Sequence, residues 1–106
     1  MIVDINESNY EEEVLNSKIP VIAEFWAPWC SSCMRAENKV EEFARLNEDN
    51  FKVVKINVDE NGMLVLKHSI RSIPTFIIFN NGEVAKKYVG GIVQEDLAEF
   101  MKYRTR

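Results

Sequence analysis

The sequence is poor in the residues that most active sites use. Its 106 residues include two cysteines and one histidine, His68. Two cysteines do not make a disulfide framework. A bridge between Cys30 and Cys33 would close so short a loop that it stabilises little by chain entropy. Lysine and arginine are outnumbered, 13 against 17 acids, for a net charge of −4. That balance argues against a nucleic-acid partner, which needs a basic face, and against an anionic membrane surface. The first residues, MIVDINESNYEEE, carry acids early and lack a long apolar run, so neither a signal peptide nor a transmembrane segment is expected, and the location read is cytoplasmic. Repeats, low-complexity tracts and linkers are missing. What is present is apolar, 46% of residues, enough for one core in a single domain over 1–106.

Periodicity supplies an element order. Ile2 to Ile5 is a short strand. Ser8-Asn9-Tyr10-Glu11 has the form of a capping box, with Ser8 as N-cap of a helix running to about Asn16. Pro20 opens PVIAEFW, apolar at nearly every position except Glu24, which predicts a strand buried on both faces. Ser31 to about Asn47 suits a helix, with Cys33, Ala36, Val40, Phe43 and Ala44 on one face. Phe51–Val58 is a strand, Asn61 to about His68 a short helix, and Thr75–Phe79 another buried strand. Asn80-Asn81-Gly82 signals a hairpin turn into Glu83–Val89. Gly90-Gly91 ends that strand, and Gln94–Tyr103 forms a last amphipathic helix. The order βαβαβαββα predicts an α/β protein, with a mixed central sheet flanked by helices on both faces. Cys30 then falls at the carboxyl end of a strand where a helix begins, the edge that open α/β sheets use for their sites.

Both cysteines stand in FWAPWCSSCM, Phe25 to Met34. At a helix N-terminus, partial positive charge and unpaired N–H groups favour a Cys30 thiolate, the nucleophile of disulfide exchange. Cys33, one turn further on, is within disulfide reach. Two other readings compete. Both residues could be small buried hydrophobes. The pair is also half of a zinc site, but His68 and the lack of a second cysteine pair leave one chain short of ligands, so only a dimer with four thiolates would close it.

Beyond the pair, the chain resembles the thioredoxin family over nearly its whole length. FWAPWCSSC is similar to that family's active-site segment, and KINVD, IRSIPTFIIFNNGE and VGG stand where the family has close counterparts. The resemblance implies the thioredoxin fold and a protein-disulfide oxidoreductase. Cys30 would attack and Cys33 resolve. Trp29 would flank the site, and the Ile73-Pro74 segment, with a cis proline, would pair with the substrate backbone beside Gly90. It implies protein disulfide substrates, a thioredoxin-reductase-type electron donor and a monomer. The chain has no nucleotide-binding glycine motif, so no cofactor is expected. The alternative in the same family is a non-catalytic binding module that uses Trp29, Ile73 and Gly90 to hold partner proteins.

Departures from the family pattern are equally specific. Ser31-Ser32 replaces the usual Gly-Pro between the cysteines. Their hydroxyls either donate towards the Cys30 sulfur, making the couple more oxidising, or cap the helix and face water. Glu24 occupies the place of a buried aspartate. Burial would raise its pKa and fit it to take the Cys33 proton. Lys55, alone in the next buried run, is its expected partner, and the pair is otherwise a structural ion pair. Asn38 stands at a kinking proline, and Ser69 and Ser72 at glycines. Trp26 is assigned to the core. His68 is assigned to the surface at a helix end, where the dipole would favour its charge.

Overall fold

The computed structural model describes residues 2–90. The expected helix over 94–103 lies outside the described residues. Five strands form one sheet in the order β1-β3-β2-β4-β5. They are β1 (Ile2–Ile5), β2 (Val21–Trp26), β3 (Lys52–Asn57), β4 (Thr75–Asn80) and β5 (Glu83–Val89). The helices α1 (Ser31–Leu46) and α2 (Gly62–Lys67) and a π-helical segment, Glu11–Leu15, connect them. β3 runs parallel to both β1 and β2, while β4 is antiparallel to β2 and β5. This is the mixed α/β sheet that the element order predicts.

Alternation along the strands divides the interior in two. On one face Val21, Ala23 and Phe25 of β2 pack with Val54, Ile56, Ile77 and Phe79 under Tyr10, Val14 and Leu64. On the other, Ile22, Val53, Phe76 and Ile78 meet Val40, Phe43 and Ala44 of α1. β2 is therefore covered on both sides, which is why its sequence reads as one apolar run. Glu24 shares the parity of Ile22 and so points to the α1 side.

The hairpin follows its sequence signal. Asn81 and Gly82 take φ of +55° and +81°, the left-handed pair that a two-residue turn of this hand demands. Gly82 is needed for a second reason: a Cβ there would lie 2.8 Å from the Leu15 carbonyl oxygen. Ser69, which the resemblance puts at a glycine position, also takes a positive φ of +54°.

Two local readings are corrected. Ser8 does not cap a helix. Its hydroxyl donates to Asn6 Oδ1 at 2.6 Å, which also accepts the N–H groups of Ser8 and Asn9 at 2.8 and 3.1 Å. Asn9 Oδ1 in turn accepts the Asn6 N–H at 2.8 Å. This reciprocal asparagine turn occupies the groups that a capping box would need. His68 is half-buried rather than a plain surface residue. Its Nε2 meets the Tyr10 hydroxyl at 2.8 Å, and its ring packs against Tyr10, Phe25 and Phe79. Burial, then Lys67 and Lys87, push its pKa below the usual histidine value, against the helix-end effect.

Candidate active site

The segment from β2 to α1 turns at Ala27, whose carbonyl accepts the Cys30 N–H at 3.1 Å. Cys30 is the N-cap of α1, with φ −92° and ψ 106°, and its sulfur accepts the Cys33 N–H at 3.1 Å. A helix N-terminus has donors without intrahelical partners, and here a sulfur takes one. Cys30 and Cys33 are joined as a disulfide, with Cα atoms 5.3 Å apart. Cys33 is fully enclosed, while Cys30 retains 6% exposure. Only Cys30 thus offers a face to an incoming sulfur. Ser32 places its hydroxyl 3.4 Å from the Cys30 sulfur, while Ser31 is exposed.

Beside the disulfide lies a groove of about 500 Å³, bordered by Trp29, Cys30, Val58, Ile70, Arg71 and Ile73 among others. Trp29 is 68% exposed, an unusual state for so large an apolar ring, and its Nε1 donates to Asp59 Oδ2 at 2.9 Å. Opposite, the Ile73-Pro74 peptide is cis. The Gly90 N–H donates to the Pro74 carbonyl at 2.9 Å, and Gly90 takes a φ of +99° that favours glycine. The fold therefore gathers Trp29, Cys30, Ile73, Pro74 and Gly90, from three separate stretches of chain, at one edge of the sheet.

Beneath this edge Glu24 is completely buried. Burial pushes its pKa up to about 7, opposed by the nearby Lys55 and reinforced by Glu37. Neither carboxylate oxygen has a hydrogen-bond partner among the described residues. Lys55 sits directly across from Glu24 in the β2–β3 register, but the expected Glu24–Lys55 pairing is corrected: the ammonium goes to Glu37 Oε1 at 2.7 Å. It also lies 4.1 Å from the centre of the Trp26 ring, a cation–π contact. Trp26 itself is half-buried rather than a full core residue.

Sequence reasoning overlooked Glu37, Asp59 and Arg71. Glu37 follows Cys33 by four residues, a spacing that puts both on one helix face. Asp59 closes the KINVD stretch. Arg71 precedes the proline segment. Among the described residues no cluster of three or more histidine, cysteine or acidic side chains is arranged to hold a metal, nor is any helix long and apolar enough to cross a membrane.

A two-cysteine bridge at the carboxyl end of a central strand, with one sulfur reachable and held at a helix N-terminus, defines a dithiol–disulfide exchange protein. The comparisons with known proteins narrow this class. The family model described as Thioredoxin matches residues 1–103. Thioredoxin 1 of Synechococcus elongatus is 42% identical over 94 residues, 89% of this chain and 88% of that protein. Thioredoxin of Rickettsia bellii is 41% identical over 101 residues, 95% and 96% of the two chains. Thioredoxin 1 of Nostoc sp. is 39% identical over 98 residues, 92% of each. The chain belongs to the thioredoxin family, and its activity is thiol–disulfide oxidoreduction.

Proposed function

We propose that the chain reduces protein disulfides, with Cys30 as the attacking sulfur and Cys33 as the resolving one. The Cys30 thiolate attacks one sulfur of a substrate disulfide. That S–S bond breaks, one substrate cysteine leaves as thiolate, and a mixed disulfide forms at Cys30. Cys33 then loses its proton and attacks the Cys30 sulfur, releasing the second substrate thiolate. Two electrons pass from the dithiol to the substrate, and the Cys30–Cys33 bridge is left behind. The observation that carries the assignment is the Cys33 N–H held 3.1 Å from the Cys30 sulfur at the start of α1. An amide donor stabilises a thiolate more than a thiol.

In this reading Glu24, buried and protonatable near neutral pH, accepts the Cys33 proton, directly or through a water. Lys55 adjusts that carboxylate. An extended substrate chain lies along Ile73 and Pro74 as an added strand, flanked by Gly90 and by the exposed Trp29 ring. A thioredoxin-reductase-type enzyme returns the electrons. The protein works as a cytoplasmic monomer with one domain over 1–106, without a bound cofactor and without nucleic acid.

Insulin reduction by dithiothreitol tests this. The chain accelerates it and the Cys30→Ser variant does not. Equal rates for the two proteins would mean a binding module in place of a catalyst.

A further inference from the structure

Lys55 is the cation nearest in register to Glu24, yet its charge is spent elsewhere. Glu37, one helical turn beyond Cys33 on α1, takes the ammonium at 2.7 Å, and the Trp26 ring holds it from another side. Glu24 is left fully buried with both oxygens unpaired among the described residues. We propose that Glu37 is a positioning residue, which holds the Lys55 ammonium off Glu24 and thereby leaves Glu24 a carboxylate basic enough to take up a proton near neutral pH.

Charge counting explains the effect. With Glu24 protonated, Lys55 and Glu37 form a neutral pair. With Glu24 ionised, two carboxylates share one ammonium, and the buried cluster carries a net negative charge. A low-dielectric interior disfavours that second state. Without the Glu37 charge, the neutral arrangement is an ionised Glu24 paired with Lys55, so the proton is released at lower pH. Glu37 is half-buried and lies against the Lys55 ammonium.

Apart from Lys55, the cation that the strands put on this face is Lys86 of β5, which stands in the row of Ile78 and Ile22 rather than that of Glu24 and lies over the Tyr88 ring. β4 places Phe76 beside Glu24, β5 places Tyr88 beyond it, and α1 contributes Cys33 together with Glu37. Among the described residues that Glu24 faces from β2, β3, β4, β5 and α1, Lys55 is the one cation that lowers its pKa. The position of that one ammonium is therefore the variable that Glu37 controls.

This inference deepens the proton-acceptor reading of Glu24, and its bearing on turnover rests on that reading. The test follows the Glu24 side-chain carboxyl by carbon-13 NMR across pH in the oxidised protein, where the cysteines do not titrate. Glu37→Gln should lower the Glu24 midpoint by about one pH unit, and Glu37→Asp, which keeps the charge, should restore most of it. In a Lys55→Met background the same Glu37→Gln change should move the midpoint much less, because the ammonium that Glu37 positions is gone. A midpoint unmoved by Glu37→Gln, or an equal shift with and without Lys55, overturns the proposal. The pH profile of mixed-disulfide resolution separates the two ideas. If the NMR midpoint falls while the rate profile stays put, Glu37 positions Lys55 as proposed, and Glu24 loses its role as proton acceptor.

Discussion

The backbone N–H of Cys33 donates to the sulfur of Cys30 at 3.1 Å, across the first turn of α1. The same turn that brings the second sulfur within bonding reach also aims an amide at the first. One short piece of helix thus serves both halves of the exchange: it favours charge on Cys30 and keeps Cys33 beside it. Because Cys33 is fully enclosed and Cys30 is not, the two sulfurs have different access to a partner protein.

That asymmetry predicts which variant captures substrates. Cys33→Ser should accumulate mixed disulfides with partner proteins, since Cys30 attacks and nothing resolves the adduct. Cys30→Ser should capture essentially none. Non-reducing gels of each variant incubated with a disulfide-containing protein give the answer. Capture by Cys30→Ser alone would reverse the roles.

The hydroxyl of Ser32, 3.4 Å from the Cys30 sulfur, should tune the couple. As a donor to the thiolate it stabilises the reduced form, which makes the protein more oxidising. Ser32→Ala should therefore lower the reduction potential by up to about 30 mV, the equivalent of tenfold in the equilibrium constant. Equilibration against glutathione buffers measures it. An unchanged or raised potential would assign Ser32 to helix capping or solvent instead.

Glu24→Gln should slow resolution of the mixed disulfide by roughly 10²-fold at neutral pH, the usual scale for losing a positioned base. Initial attack by Cys30 should change little. Stopped-flow tryptophan fluorescence with a Cys33-intact protein resolves the two steps. Equal slowing of both would point to a structural disturbance.

Burial of Glu24 also carries a stability signature. Its pKa rises from 4.5 to about 7 on folding, so between those values the unfolded chain is ionised while the folded one keeps the proton. The folded state binds more protons there, and stability falls as pH rises through the window. The loss is complete above about pH 7 and is about 3 kcal/mol. His68 acts in the opposite sense: its lowered pKa removes stability as pH falls below the usual histidine value. Urea unfolding of the oxidised protein isolates the Glu24 part by difference. Glu24→Gln should gain on the parent by about 3 kcal/mol between pH 4.5 and pH 8.

Gly82→Ala should destabilise the protein by about 2 kcal/mol or more, since it combines a left-handed φ of +81° with a Cβ 2.8 Å from the Leu15 carbonyl. The redox potential should stay unchanged, because the turn lies away from the cysteines. Denaturant midpoints and glutathione equilibration together check both halves.

Much of this was legible in the residues because the signals were local or periodic. PVIAEFW announces a strand covered on both faces, and it became the central β2. Asn81-Gly82 announces a two-residue hairpin, and its backbone takes the required angles. Cys30, four positions past the end of β2, and Cys33, in the first turn of α1, needed only the strand-to-helix boundary to be placed. The misses arose where side chains choose among partners. Ser8 had Glu11 at the right spacing, but Asn6 and Asn9 paired with each other first. Lys55 lies opposite Glu24 in the sheet, but Glu37 arrives from a helix, and no strand pattern encodes that approach. His68 stands at a helix end, but its burial among Tyr10, Phe25 and Phe79 depends on elements far apart in sequence.

Alkylation of the reduced protein by iodoacetamide across pH, with the modified cysteine located by mass spectrometry, tests the central claim most directly. The account predicts modification at Cys30, with an apparent pKa below the value of about 8.5 for a free cysteine, and protection of Cys33. Modification at Cys33 first, or a Cys30 midpoint at or above that value, would contradict it.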